Sequence, residues 1–349
     1  STDRNLPFIP FAKPSIGAAE EQAVLDVLRS GWLTTASKAE AFEQAFSRRV
    51  GVPHALAVNS GTAGLHLALE ALGITAGDRV ATTTYTFTAT AETIRYLGAD
   101  PVFIDISPDG YNLDVEQLER VARTERIDAF LPVHVAGRPC PMDKITALAH
   151  RIGIPVVEDA AHAFPSEAPW GIAGAAADAG VYSFYANKPI TTGEGGMVAT
   201  RDRTVAERIR TMRLHGIDRD VWDRYTNDRP RSWEYDIVAP GFKYNMPDTA
   251  AAIGLVQLAR ADAFLERRRE ISRRYREAFA DRCYLETPDD QVGHAWHLFI
   301  LALRLDLLDL DRDAFAEELR AAGIGTSVHY KPLHLMRYYR KRYDLAPED

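Results

Sequence analysis

Between residues 54 and 200 the chain alternates short apolar runs with segments of helical period. No other feature of the sequence restricts the fold as much. The apolar runs are His54–Val58, Arg79–Thr83, Pro101–Ile104, Asp128–Val133, Ile154–Glu158, Gly180–Phe184 and Gly196–Thr200. Between most of them lie Thr62–Leu72, Ala89–Leu97, Val115–Ala122 and Met142–Arg151, where apolar residues recur at helical spacing. A hairpin needs only a short turn, whereas connectors of helical length carry the chain back to start a parallel strand. The rhythm therefore predicts βαβ units and an α/β fold whose mostly parallel sheet is covered by helices on both faces.

The rhythm stops at Gly216–Tyr244, a polar stretch rich in aromatics (Trp222, Tyr225, Trp233, Tyr235), which reads as a long functional loop. From Pro247 a single long helix is expected over Asp248 to about Phe279. A strand (Trp296–Leu303), a helix (Arg312–Ala322, stopped by Gly323) and a strand (Gly325–His329) should follow. That pattern is α+β. With 349 residues, more than one core usually fills, the expected division is a large domain over 1–245 and a smaller one over 246–349.

Composition narrows the function. Lys and Arg number 41 against 49 Asp and Glu, a net charge of −8, so no global basic footprint for nucleic acid exists. The local run Arg267, Arg268, Arg269, Arg273 and Arg274 reads as a solvated helix face. The two cysteines, Cys140 and Cys283, form neither a disulfide framework nor a zinc motif, and a reducing cytoplasm is the default compartment. No stretch approaches the roughly 20 apolar residues needed to cross a bilayer, so no membrane partner is expected.

Ligands of an open parallel sheet bind beyond the carboxyl ends of its strands, and five segments at such ends stand out. Asn59-Ser60-Gly61-Thr62-Ala63-Gly64 opens a helix with small residues, as a phosphate cup would; a tight turn with a Ser/Thr cap fits it equally. It has no Walker-type lysine, and no clean G-x-G-x-x-G occurs in the chain, which disfavours a nicotinamide dehydrogenase. Val156–His162 ends an apolar strand with Glu158 and Asp159, which the period of 2 sends to opposite faces. A carboxylate there could hold a protonated ring nitrogen or a metal, although a helix-capping Asp is the commoner role. Tyr182–Pro189 sets Lys188 just past a buried strand, beside Thr191-Thr192-Gly193-Glu194-Gly195-Gly196. A lysine crowded by apolar groups loses its proton readily and becomes a nucleophile for Schiff-base chemistry. Tyr85–Thr90 offers aromatics for stacking or for the core. His329–His334, with the loop holding Trp222, Arg224 and Tyr225, suits a sugar or nucleotide.

Each segment alone is ambiguous, but together they supply an anion cup, a strand-end carboxylate, an aromatic face and a buried lysine. Pyridoxal 5′-phosphate requires that set: donors for its phosphate, a stacking face, a partner for its ring nitrogen and an amine for its aldehyde.

The sequence also resembles the DegT/DnrJ/EryC1/StrS aminotransferases, pyridoxal-phosphate enzymes that aminate nucleotide-linked keto-sugars. The resemblance rests on Ser30–Thr35, Asn59–Ala63, Glu158–Ala163, Ser183–Lys188 and Ile190–Gly196. It continues through His215-Gly216, Trp222–Tyr225, Tyr244–Asp248 and Val328–His334, in family order over nearly the whole chain. It implies a fold-type-I architecture, with a seven-stranded sheet in the large domain, and a homodimer with shared active sites. It implies Lys188 as the Schiff-base lysine and Asp159 as partner of the ring nitrogen. Gly61, Thr62 and Ser183 would bind the phosphate, and Asn245 would reach the phosphate of the neighbouring subunit's cofactor. Phe87 would stack on the ring and His162 would lie near its 3-hydroxyl. Thr35, Tyr85, Glu194, His329 and Tyr330 would line the substrate side, and no metal is implied.

The implied reaction moves an amine from L-glutamate, by way of pyridoxamine 5′-phosphate, to a nucleotide-linked sugar. A 4-keto sugar is favoured because His at position 162 recurs among relatives acting at C4. Amination at C3 and a non-catalytic binding protein are the alternatives; a binding protein would not need Lys188 together with Asp159. Ala36-Ser37 departs from the Gly-Pro common in relatives. Relatives also run some tens of residues beyond Asp349, so a further tail of the small domain is expected.

Overall fold

A computed structural model describes residues 7–218 and 235–347. Trp222, Asp223, Arg224, Tyr225 and Trp233 lie outside the described residues.

All seven expected strands form within two residues of their expected ends, except that β4 and β5 are shorter. They are β1 (His54–Val58), β2 (Arg79–Thr83), β3 (Asp100–Ile104), β4 (Ala129–Leu131), β5 (Val157–Asp159), β8 (Ala179–Ser183) and β9 (Gly196–Thr200). A two-stranded ribbon, β6 (Glu167–Ala168) and β7 (Gly171–Ile172), fills the connection from β5 to β8. The strand orders β3-β2-β4 and β5-β8-β9-β1 join through parallel bridges at Phe130–Val156 and Val133–Asp159. One seven-stranded sheet results, parallel throughout except for β9, which runs antiparallel to both neighbours.

Side-chain alternation explains why both faces are covered. On β8, Ala179 and Val181 enter one core with Leu56, Val58, Val198 and the helix α3 (Gly61–Ala71). Tyr182 enters the opposite core with Phe42, Phe46, Phe164 and Met197. Phe42 and Phe46 are fully buried, and truncating either to Ala should cost about 3–5 kcal/mol.

These two phenylalanines sit on α2 (Ser37–Val50), which with α1 (Ala18–Ser30) precedes the sheet. Neither helix was anticipated from the sequence. Ala36 cannot cap α2 with its side chain; the carboxylate of Asp248 accepts the N–H groups of Ala36, Lys38 and Ala39 at 2.7–3.0 Å instead. The cap is remote in sequence, so no local signal announces it. Asp248 opens the helix Asp248–Ala259, which packs on α1 and α2 and lends Ala251 to the second core. Gly254 allows that approach: a Cβ there would lie 2.6 Å from the Phe42 ring.

The expected single helix over Asp248–Phe279 is two, Asp248–Ala259 and Ala261–Phe279. The break falls where Gln257 and Arg260 are held by Glu20 and by the Ser15 carbonyl, which ties this point to the start of α1. Of the expected strand Trp296–Leu303 only Ala302–Leu303 pairs, with Leu285–Glu286. Its first half and the residue before it instead bond the loop after β4, Leu298 N–H to the Ala136 carbonyl at 3.2 Å and Ala295 N–H to that of Gly137 at 2.9 Å. Gly325–His329 is not a strand either. Its neighbours are the N-terminal segment, through an Ile9–Ile324 bridge, and Tyr85, whose hydroxyl donates to the His329 carbonyl. The expected helix near Arg312–Ala322 is present at Arg312–Ala321. Among the described residues no helix is long and apolar enough to cross a membrane.

Candidate active site

The carboxyl ends of the six mutually parallel strands share one edge of the sheet, and the chemically notable residues collect there. Asp159 closes β5, Ser183 closes β8 with Lys188 five residues on, and Gly61 and Thr62 follow β1. Tyr85 and Phe87 follow β2, and His134–Gly137 follow β4.

Asp159 is buried. Its Oδ2 accepts the Thr90 hydroxyl at 2.8 Å and its Oδ1 the Ala161 N–H at 3.1 Å. Burial raises its pKa above the ordinary carboxylate value, against the pull of those donors, Lys188 and His134. Lys188 feels the converse. Desolvation lowers it to about 8, and the attraction of Asp159 offsets part of that fall. A lysine at about 8 keeps a sizeable free-amine fraction near neutral pH, which a solvated lysine does not.

The loop carrying Lys188 is rigid for reasons visible in its composition. The Thr191 hydroxyl donates to the Phe184 carbonyl at 3.0 Å and accepts the Gly193 N–H at 2.9 Å; the Thr192 hydroxyl donates to the Glu194 carbonyl at 2.7 Å. The threonine–glycine cluster beside Lys188 thus binds its own backbone. Glu194 stays exposed, its main chain rather than its carboxylate being engaged.

At the start of α3, the Ser60 hydroxyl accepts the Ala63 N–H at 3.0 Å, and Gly64 N–H bonds the Ser60 carbonyl at 3.1 Å. Among the described residues no hydrogen bond meets the Gly61 and Thr62 N–H groups, which lie at the positive end of the helix. A Cβ at Gly61 would stand 3.0 Å from that of Ser183, so the serine hydroxyl adjoins those donors. The arrangement is an anion cradle, and glycine keeps it open. Phe87 lies just before α4 (Ala89–Tyr96) and is 59% exposed; its carbonyl accepts the N–H of Thr90, the residue that holds Asp159.

On the other side stand two histidines and two tyrosines. His162 is buried; its Nδ1 accepts the Ala136 N–H at 3.3 Å and its Nε2 lies 3.0 Å from the Tyr330 hydroxyl. Burial first, and the charge of Lys188 second, push its pKa well below the ordinary value, so the ring is neutral. His329 stacks on Phe11 at 5.4 Å and is likewise lowered by desolvation and Lys188. Tyr85 contacts Tyr330 edge-on at 5.7 Å and stacks on Tyr111 at 5.4 Å; burial pushes its pKa up to about 12.

Thr35 and Asn245 are joined within this chain: the Asn245 amide donates to the Thr35 hydroxyl at 2.6 Å and accepts from Lys243 at 2.7 Å. Asn245 also bridges β1 at Val58, which sets the pair beside the anion cradle. Two residues without a recognisable local motif also belong to the site: Thr90, the support of Asp159, and His297, whose ring centre is 4.5 Å from that of His162. A histidine in the otherwise apolar run Trp296–Leu303 was the available signal for the latter.

The model of the DegT/DnrJ/EryC1/StrS aminotransferase family matches residues 14–349. Among curated proteins, the spore coat polysaccharide biosynthesis protein SpsC of Bacillus subtilis is 44% identical over 98% of this chain and 88% of its own length. Among solved structures, Spr1654 of Streptococcus pneumoniae, known in its PMP and PLP forms, is 34% identical. In the PMP form it superposes with a TM-score of 0.88 over 96% of this chain and 88% of its own. PseC of Helicobacter pylori, an aminotransferase involved in the biosynthesis of pseudoaminic acid, is 30% identical. Its TM-score is 0.89 over 98% of this chain and 90% of its own.

Proposed function

The chain belongs to the DegT/DnrJ/EryC1/StrS aminotransferase family and is a pyridoxal-phosphate-dependent sugar aminotransferase; from that premise we propose that it aminates a nucleotide-linked 4-keto sugar. The amino donor is L-glutamate, the product a 4-amino-4-deoxy sugar nucleotide, and the assembly a cytoplasmic homodimer. The product serves a cell-surface glycan or a secondary metabolite.

The observation that carries the reading is the pairing of Lys188, lowered to about 8, with the buried Asp159 beside an open anion cradle. Those residues fit the cofactor. The Gly61 and Thr62 N–H groups and the Ser183 hydroxyl are donors for a phosphate, and Asp159 has lone pairs left for a ring N–H. Bound pyridoxal phosphate supplies an aldehyde that condenses with amines and a protonated ring that withdraws electrons from the carbon being deprotonated. Asp159 would hold that ring nitrogen in its protonated form, and the Thr90 hydroxyl fixes the orientation of the Asp159 carboxylate. Lys188 Nζ would take the proton from the donor's Cα and deliver one to the sugar carbon that gains the amine; a pKa of about 8 suits both directions. Tyr330, whose hydroxyl is held by the neutral His162 ring, meets the acceptor sugar.

The test is to load the protein with pyridoxamine phosphate and mix it with 4-keto and 3-keto sugars linked to UDP, GDP or dTDP. Return of the visible cofactor absorbance with 4-keto sugars is expected, and Lys188→Ala should show none. Response to 3-keto sugars alone would move the site of amination to C3. Silence across the panel, with glutamate still converting the pyridoxal form, would overturn the substrate reading.

A further inference from the structure

His297 is 7% exposed, and neither of its ring nitrogens has a hydrogen-bond partner among the described residues. Buried imidazoles are ordinarily paired, because an unmet donor or acceptor forfeits its hydration. The position of this ring is tightly determined all the same. Ala295 and Leu298, which flank it, bond the carbonyls of Gly137 and Ala136, and Arg268 holds the carbonyls of Trp296 and His297 at 3.0 and 3.2 Å. The same Ala136 donates its N–H to His162. One short stretch after β4 therefore sets both histidines, 4.5 Å apart centre to centre and tilted by 49°.

Of the two rings, His162 is satisfied by Ala136 and Tyr330, whereas His297 is not. Burial, with the charges of Lys188 and Arg268 added to it, holds His297 far below its ordinary pKa, so it carries one N–H and one bare nitrogen. A neutral donor–acceptor of that kind matches a hydroxyl, which is also both. A donor carboxylate would be better served by a cation.

We propose that His297 is a substrate-binding residue whose unpaired imidazole hydrogen-bonds a ring hydroxyl of the acceptor sugar beside His162 and Tyr330. The inference rests on the sugar-nucleotide reading above. It assigns the small-domain segment Ala295–Leu298 a part in selecting the sugar and none in the reaction with glutamate.

The two half-reactions separate these roles. His297→Phe keeps the ring volume and removes both nitrogens; His297→Asn keeps a donor and an acceptor. Pyridoxamine-loaded protein is titrated with the nucleotide-linked hexose by calorimetry, and the glutamate half-reaction is followed by absorbance in single turnover. His297→Phe should weaken hexose binding about 10- to 30-fold, the loss expected for one hydrogen bond. His297→Asn should recover most of it, and the glutamate half-reaction should move less than about 2-fold in both. A hexose analogue lacking the hydroxyl should bind the wild type and His297→Phe alike. Unchanged hexose binding in His297→Phe, or an equal loss in both half-reactions, overturns the assignment. Hexose binding absent from the wild type itself removes the substrate reading and this inference together; binding by the wild type that His297→Phe matches removes the inference alone.

Discussion

Glu158 and Asp159 are consecutive at the end of β5, and their carboxylates lie on opposite faces of the sheet. Glu158, fully buried, accepts His134 Nε2 at 2.9 Å and the N–H groups of Gly174, Ala176 and Ala177 at 2.7–2.9 Å. Among the described residues the Asp159 carboxylate accepts only from Thr90 and Ala161, and it attracts Lys188. The first carboxylate has its acceptor sites filled by the fold, while the second retains capacity for a ligand.

That contrast predicts opposite phenotypes. Glu158→Gln turns an amide NH2 toward backbone donors and should lose about 3 kcal/mol, seen as a fall of several degrees in Tm. Turnover per folded molecule should stay nearly unchanged. Asp159→Asn should lower turnover by about 1,000-fold or more without lowering the stability of the cofactor-free protein at pH 8. The sign follows from the raised pKa of Asp159: its burial costs stability progressively as the pH climbs from the ordinary carboxylate value to the raised one, in full above that, and the amide avoids the cost. Thermal melts beside steady-state kinetics check both; a Glu158→Gln protein with an intact melt and no turnover would contradict the division.

Lys188 predicts a pH dependence for capture of the cofactor. Its ammonium form cannot attack an aldehyde, so the rate at which visible absorbance appears on mixing with pyridoxal phosphate should rise with pH and level off above about 8. Asp159 holds the lysine up, so Asp159→Asn should move the midpoint to lower pH. Stopped-flow absorbance between pH 6 and 10 measures it. A midpoint near 10 in the wild type would mean that the amine is solvated.

Much of the fold and part of the candidate site were legible in the sequence because their causes are local. The seven strands follow from apolar runs of the right length, and the opposite faces of Glu158 and Asp159 from the period of 2. Lys188 and Gly61 were visible as a cation and a small residue at strand ends. What escaped depends on partners far along the chain. Asp248 caps α2 from a later helix, and Glu20 ties down Gln257 and Arg260 where one expected helix divides into two. The expected strands Trp296–Leu303 and Gly325–His329 had the right composition, but the start of the first bonds Ala136 and the end of the second meets Tyr85, so only Ala302–Leu303 enters a ladder. Thr90 shows its function only beside Asp159, 69 positions away.

The anion cradle predicts graded losses of cofactor affinity. Ser183→Ala removes one hydroxyl donor to a charged phosphate and should weaken binding about 10-fold. Gly61→Ala should do more, about 100-fold, because its Cβ would stand 3.0 Å from that of Ser183 and intrude where the helix N–H groups open. Absorbance titration of the cofactor-free proteins with pyridoxal phosphate gives both constants. Equal affinities for Gly61→Ala and the wild type would place the phosphate elsewhere.

The His162–Tyr330 pair predicts a loss of activity without a shift in pH profile. Because His162 Nδ1 accepts the Ala136 N–H, the neutral ring carries its proton on Nε2 and donates it to the Tyr330 oxygen. The phenol proton is then directed away from His162 and free for a ligand. Burial holds His162 well below its ordinary pKa and lifts Tyr330 well above its own, so neither group changes charge between pH 6 and 9. Tyr330→Phe leaves the Nε2 proton unmet and removes the phenol donor, which should lower kcat/KM for the sugar about 100-fold, roughly two hydrogen-bonding roles at once. The limbs of the profile, set by Lys188 and Asp159, should stay where they are. A limb that moves by a full unit in Tyr330→Phe would show that the tyrosine exchanges a proton in that range and would refute the neutral pair.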